Sequence, residues 1–174
     1  MEAVKNVETS SKTNTYLSFV MDNEVFATDV KYVLEILEVK PVTRVPRAPD
    51  YINGVLNLRG SVLPVVDLRK IFNLPGIEFD EETCIIVLTV DLDGEKIMLG
   101  ALVDAVREVM EIANDNIEPA PSIGTSYKAK FIQGMLNQGD NFVMLLDVNK
   151  IFSSHELSAV KETVEKAVEP ETAK

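Results

Sequence analysis

From Tyr16 onward the hydrophobic positions fall into short runs separated by turn residues, a pattern that predicts strands rather than helices. Tyr16 to Met21, the turn residues Asp22 and Asn23, and Glu24 to Ala27 read as a hairpin. Further runs cover Leu34 to Val39, Ile52 to Leu58, Ser61 to Val66, Thr83 to Val90, Lys96 to Val103, Glu108 to Ile112, Phe131 to Leu136 and Phe142 to Leu146. They are rich in Val, Ile, Leu and Phe, and Arg59-Gly60, Asp93-Gly94 and Gly139-Asp140 mark bends between them. Many short strands with few helices predict an all-β barrel or sandwich. The exception is the C-terminus, where Leu157, Val160, Val164, Ala167 and Val168 share one helical face and Ser153 with Glu156 forms a capping box. Residues 1–14 are polar and aperiodic and read as a disordered arm, and 153–174 as a terminal helix and tail.

An internal repeat organises the middle. Tyr51-Ile52-Asn53-Gly54-Val55-Leu56-Asn57 reappears as Phe131-Ile132-Gln133-Gly134-Met135-Leu136-Asn137, an offset of 80 residues. The register runs without a gap to Asp67-Leu68-Arg69-Lys70-Ile71-Phe72, matched by Asp147-Val148-Asn149-Lys150-Ile151-Phe152. A second match at an offset of 73 sets Val30 to Leu37 against Val103 to Met110, with Glu35 opposite Glu108. The repeat predicts two similar barrels within 15–152, and the acidic stretch Glu78 to Glu82 after Pro75-Gly76 reads as part of a crossing between them near 73–83.

Composition narrows the possible partners. With 46% hydrophobic residues in 174, the chain can bury a core. A net charge of -11 repels phosphate backbones and anionic membrane surfaces, so nucleic acid is an unsuitable partner. Cys84 stands alone, the N-terminus lacks a signal-peptide apolar stretch, and no run of about 18 apolar residues occurs, so a soluble protein of the reducing cytoplasm is expected. Charge is unevenly spread: Lys40 to Lys70 holds six basic and two acidic residues, whereas Asp104 to Glu118 holds five acidic and one basic.

Chemistry-bearing residues are few. Asp67 and Asp147 occupy equivalent repeat positions, so they could form an acid pair sharing a proton. Each also ends an apolar strand just before a helical Lys-Ile-Phe stretch, where a carboxylate caps backbone amides, and this is the preferred reading. His155 has no Cys or His at a metal-ligand spacing, and Cys84 lies within an apolar run without a basic partner. No phosphate loop, dinucleotide turn or nucleophile elbow is present, so no catalytic residue, metal or cofactor is expected. Arg59 is unusual because the corresponding bend of the second repeat carries Gln138-Gly139-Asp140 instead.

The string Gly54 to Arg69, preceded by Val45-Pro46-Arg47-Ala48-Pro49-Asp50-Tyr51-Ile52, resembles the signature of the chemotaxis CheW family of coupling proteins. Leu102 to Val109, Ile117-Glu118-Pro119-Ala120-Pro121 and Phe131 to Gly134 resemble the same family, in the same order. The resemblance covers about residues 16–152. It implies two SH3-like five-stranded β-barrels and a non-enzymatic adaptor. The implied partners are the cytoplasmic tip of methyl-accepting chemotaxis receptors and the regulatory domain of the histidine kinase CheA. The implied location is cytoplasmic, at the inner face of the membrane in receptor arrays and without insertion into it. By the same resemblance Val33, Ile36, Arg59, Val103 and Val106 border the receptor groove. Val42, Arg44 and Val45 lie at a kinase-facing edge.

Overall fold

A computed structural model of the chain describes residues 12–75, 78–92, 94–119 and 131–152. The strands are β1 (Thr13–Met21), β2 (Glu24–Asp29), β3 (Val33–Glu38), β4 (Ile52–Leu58), β5 (Ser61–Asp67), β6 (Cys84–Leu92), β7 (Glu95–Val103), β8 (Ala105–Ala113), β9 (Ile117–Glu118), β10 (Ile132–Gln138) and β11 (Asn141–Leu146). Two single-turn helices, α1 (Leu68–Ile71) and α2 (Val148–Ile151), follow β5 and β11. The predicted all-β architecture is present as two sheets, ordered β3-β6-β7-β5-β4 and β8-β1-β2-β11-β10-β9. These are the walls of the two SH3-like barrels, called here the first and the second.

Each barrel is assembled from both repeats. The first three strands of one repeat, β1, β2 and β3, correspond to β6, β7 and β8 of the other, and β4 and β5 correspond to β10 and β11. β6 and β7 nevertheless pair with β3 and β5 of the first repeat, while β1 and β2 pair with β8 and β11 of the second. The chain changes sheet in the turn Val30–Tyr32 and again at Asp104. The expected crossing near 73–83 is therefore corrected, because β5 and β6, on either side of it, lie in the same sheet. The arm is shorter than expected as well: Thr13 and Asn14 already pair with Ala113 and Ile112. The expected C-terminal helix, with His155, lies outside the described residues.

The exchange has a physical cause in strands that are apolar on both faces. Along β6, Ile85 and Val87 enter a cluster with Leu56, Leu58, Leu63, Val65 and Leu102 inside the first barrel. Ile86, Leu88 and Val90 point the other way, into a larger cluster shared by both barrels. β1 behaves alike: Tyr16 joins Ala27, Ile112, Val143 and Leu145 inside the second barrel, and Leu17, Phe19 and Met21 enter the shared cluster. Full burial of each such side chain contributes about 1.5–3 kcal/mol, so the shared cluster holds the barrels together strongly. A ladder of rings runs through it, Phe19–Phe26–Phe72–Phe131, with successive centroids 6.1, 5.7 and 6.0 Å apart.

The repeats share fine detail. β4 and β10 each carry a bulge, between Ile52 and Gly54 and between Ile132 and Gly134. A Cβ on Gly54 would stand 2.6 Å from the Thr43 carbonyl, and one on Gly134 2.5 Å from Ile117. The missing side chain lets an extra segment cross at both places: Thr43 exchanges two 2.8 Å backbone bonds with Val55, and β9 pairs with β10.

This interleaving predicts the behaviour of a cut chain. A protease site placed between Pro75 and Glu78 is cleaved to completion, and the product is examined by size exclusion and thermal melting. The two fragments are expected to remain one particle with a single transition. Their separation into two independently folded pieces would contradict the strand exchange.

Candidate functional site

Local capping places the two repeat aspartates. Asp67 accepts from the Arg69 amide at 3.0 Å, and Asp147 accepts from the Asn149 and Lys150 amides at 3.1 and 3.2 Å. Each satisfies its own helix start, Asp67 at the end of β5 and Asp147 just after β11, strands of different sheets. The acid-pair alternative is thereby set aside. Burial pushes the Asp67 carboxyl up, against the lowering effect of the Arg69 amide. Cys84 is half-buried, and burial likewise pushes its thiol up, the reverse of an activated nucleophile. Among the described residues no cluster of His, Cys, Asp or Glu could hold a metal ion.

The repeated helices also reach across to the opposite barrel. Arg69 is buried, donates to the Pro75 carbonyl and to the Asp104 carboxylate, and stands 3.9 Å from Asp22. Asp104 in turn accepts from the Asp22 amide at 2.8 Å, so α1 of the first barrel is tied to the β1–β2 turn of the second. At the position equivalent to Arg69, Asn149 accepts from the Asp91 amide at 3.1 Å and donates to the Tyr32 hydroxyl at 3.3 Å. Both ties bridge the barrels, one charged and one neutral.

Arg59 sits in the β4–β5 turn with φ +52°, followed by Gly60 at +88°, the paired positive values of a type I′ hairpin. Its guanidinium grips Glu35 of β3 with two bonds of 2.5 and 2.9 Å. β3 and β4 are opposite edges of their sheet, so this fork draws the seam of the first barrel together. Those hydrogen bonds hold the Glu35 carboxyl below its usual range, against the opposing effect of burial. The stabilisation is present above the ordinary glutamate value and is lost as pH falls through the lowered one. The side chains stay accessible, 70% for Arg59 and 29% for Glu35, so the pair remains available to a partner.

Beside it, β3 presents Leu34 and Ile36, 55% and 46% exposed, as alternate residues on one face. Val33 and its repeat equivalent Val106 are half-buried against the shared cluster. Val103 is corrected: it is 1% exposed within that cluster, because alternation along β7 turns it inward, and it can only support the surface from below. On another side, Arg44 and Val45 line two adjoining depressions of about 180 and 340 Å³, and Val42 packs against the first barrel's interior. Neither Glu35 as partner to Arg59 nor Arg69 as a buried tie had a local sign along the chain.

Two sheets exchanged in this order, with the matched bulges and caps, are accompanied by a match to the CheW-like domain family over residues 15–156. The chain belongs to the CheW-like family. It is 35% identical to the chemotaxis protein CheW of Klebsiella aerogenes over 83% of this chain and 85% of that one. It is 31% identical to the CheW of Thermotoga maritima over 85% and 93%. The crystal structure of the scaffolding protein TtCheW from Thermoanaerobacter tengcongensis is similar with a TM-score of 0.72 and 28% identity, covering 83% of this chain and 91% of that one. This CheW-like chain is a chemotaxis adaptor that works among chemotaxis signalling proteins, and its family is one of scaffolds. No helix among its described residues is long and apolar enough to cross a membrane.

The raised Asp67 acid gives a signed expectation. Asp67→Asn keeps the cap without a buried charge, so at neutral pH it should match or exceed the parent in stability, and that gain should shrink as pH falls and Asp67 takes up its proton. Asp67→Ala loses the cap and should be about 1 kcal/mol less stable than Asp67→Asn at any pH. Urea unfolding from pH 4 to 8 measures both, and an Asn variant as damaged as the Ala variant would contradict the capping account.

Proposed function

We propose that the chain is a non-enzymatic adaptor coupling methyl-accepting chemotaxis receptors to the histidine kinase CheA, on the cytoplasmic side of the membrane. The observation that carries this reading is family membership along the whole described fold rather than at one motif. The surfaces support it. Ile36 and Leu34 offer apolar area on an edge strand, Val33 and Val106 flank the shared cluster, and the Arg59–Glu35 fork offers charge beside them. This is the receptor-facing side, where a receptor tip covers the apolar row.

The kinase-facing side is the strap with Val42, Arg44 and Val45, which the regulatory domain of CheA engages. The strap is bridged to β4, an edge strand of the first barrel, by the two backbone bonds between Thr43 and Val55, with Arg44 exposed. An exposed cation at an interface rim steers association and adds less to affinity. Buried apolar contact carries the affinity, so a charge placed at Ile36 is far more damaging than at a neutral rim position.

Two variants separate the surfaces. Ile36→Asp and Arg44→Glu alter exposed residues and should leave stability within about 0.5 kcal/mol. Ile36→Asp should reduce co-sedimentation with receptor membranes by about tenfold or more while still binding the CheA regulatory domain. Arg44→Glu should show the opposite selectivity. Folded variants that both retain normal receptor and kinase binding would contradict the assignment.

A further inference from the structure

The two barrels differ where their edges meet. In the first, the seam between β3 and the β4–β5 turn is bridged by Arg59 holding Glu35. In the second, the pairing registers make Glu108 the equivalent of Glu35 and Gly139 the equivalent of Arg59. Glu108 is exposed on β8, the edge strand of its sheet, and no guanidinium of this chain's own turn reaches it. A depression of about 430 Å³ occupies this seam, lined by Glu108, Val109, Glu111, Asn116, Leu136 and Gln138 among others. Val109 beside it is 61% exposed.

We propose that the open seam of the second barrel is a docking site for an arginine-bearing segment of a partner protein, whose guanidinium takes the place that Arg59 fills in the first barrel. This contact goes beyond the receptor-facing and kinase-facing surfaces: it shares strand β8 with Val106 but is lined by none of the residues assigned to either surface. The charge is complementary: two carboxylates line the seam, and the first barrel demonstrates that this backbone frame presents a glutamate suited to a two-bond fork. Amide groups of Asn116 and Gln138 supply further acceptors, and Val109 with Leu136 provides apolar cover for the methylene stem of the incoming side chain. Arginine is favoured over lysine because a planar fork, not a point charge, satisfies both oxygens of one carboxylate.

The repeat also supplies the means of blocking the site. A Cβ on Gly139 meets no atom within 4 Å, and its φ of +66° is close to the +52° at which Arg59 is held. Gly139→Arg meets no steric obstacle and takes a left-handed backbone that Arg59 already adopts, so at a modest strain in the turn it fills the seam from within.

The test titrates the full chain with the peptide acetyl-Gly-Arg-Gly-amide and follows backbone amide signals by NMR. Saturable shifts are expected at 108–112, 116 and 136–139, with a dissociation constant of about 1 mM. Acetyl-Gly-Lys-Gly-amide should bind at least about fivefold more weakly. Glu108→Gln and Gly139→Arg should each weaken the arginine peptide by about tenfold or more, with the remaining spectrum unchanged. The proposal is overturned if shifts scatter over all acidic surfaces, if the lysine peptide binds equally, or if Gly139→Arg leaves binding intact. It is equally overturned if the seam responds only after removal of the residues beyond Phe152, which would make the chain's own end the occupant.

Discussion

Everything in this fold depends on the shared apolar cluster into which β1, β2, β6 and β7 turn one of their two faces. A strand with polar residues on its outer side can finish a barrel alone, but a strand such as β6, buried on both sides, cannot. Its second face must be covered by another layer. Exchanging the first two strands between repeats provides that cover twice with one interface, and it leaves β7 running parallel to β5 and β2 parallel to β11. Tight packing follows along the exchanged strands: a Cβ on Gly100 would stand 2.6 Å from Ile85, so β7 can lie against β6 inside the first barrel only without a side chain there. Arg69 and Asn149 then fix the angle between barrels by reaching from each helix to the hairpin opposite.

A duplicated scaffold makes departures from symmetry informative. Caps, bulges and helix starts agree between the repeats because the fold requires them in both. Arg59 against Gly139, and Arg69 against Asn149, are differences that backbone geometry does not demand. The first closes one seam and leaves the other open; the second makes one tie between barrels charged and the other neutral. An adaptor must meet different proteins on different faces, and two barrels of one design gain distinct surfaces through such substitutions.

Much of the fold was legible because strand period and turn residues are local signals. The run Thr83 to Val90 and the hairpin at Asp22-Asn23 were placed correctly by pattern alone, and the 80-residue repeat predicted the matching strand–turn–strand–helix units. Strand partners were not legible, since periodicity says which faces are buried but not by which strand. The two-faced apolarity of Ile85 to Val90 was the available sign that the crossing near 73–83 was misplaced. The capping roles of Asp67 and Asp147 followed from their place before a helix. The Arg59–Glu35 fork did not, because 24 residues separate the partners and the barrel must curl before they meet. Val103, expected to border the receptor groove, is buried in the shared cluster, and periodicity alone could not show which layer covers that face of β7.

The central claim is that both barrels form one cooperative unit built around the shared cluster. Native-state hydrogen exchange resolved by strand tests it most directly. Slowly exchanging amides of β1 and β2 in the second barrel and of β6 and β7 in the first should open with a single common free energy and a common denaturant dependence. Two distinct opening energies, one for each barrel, would contradict the account.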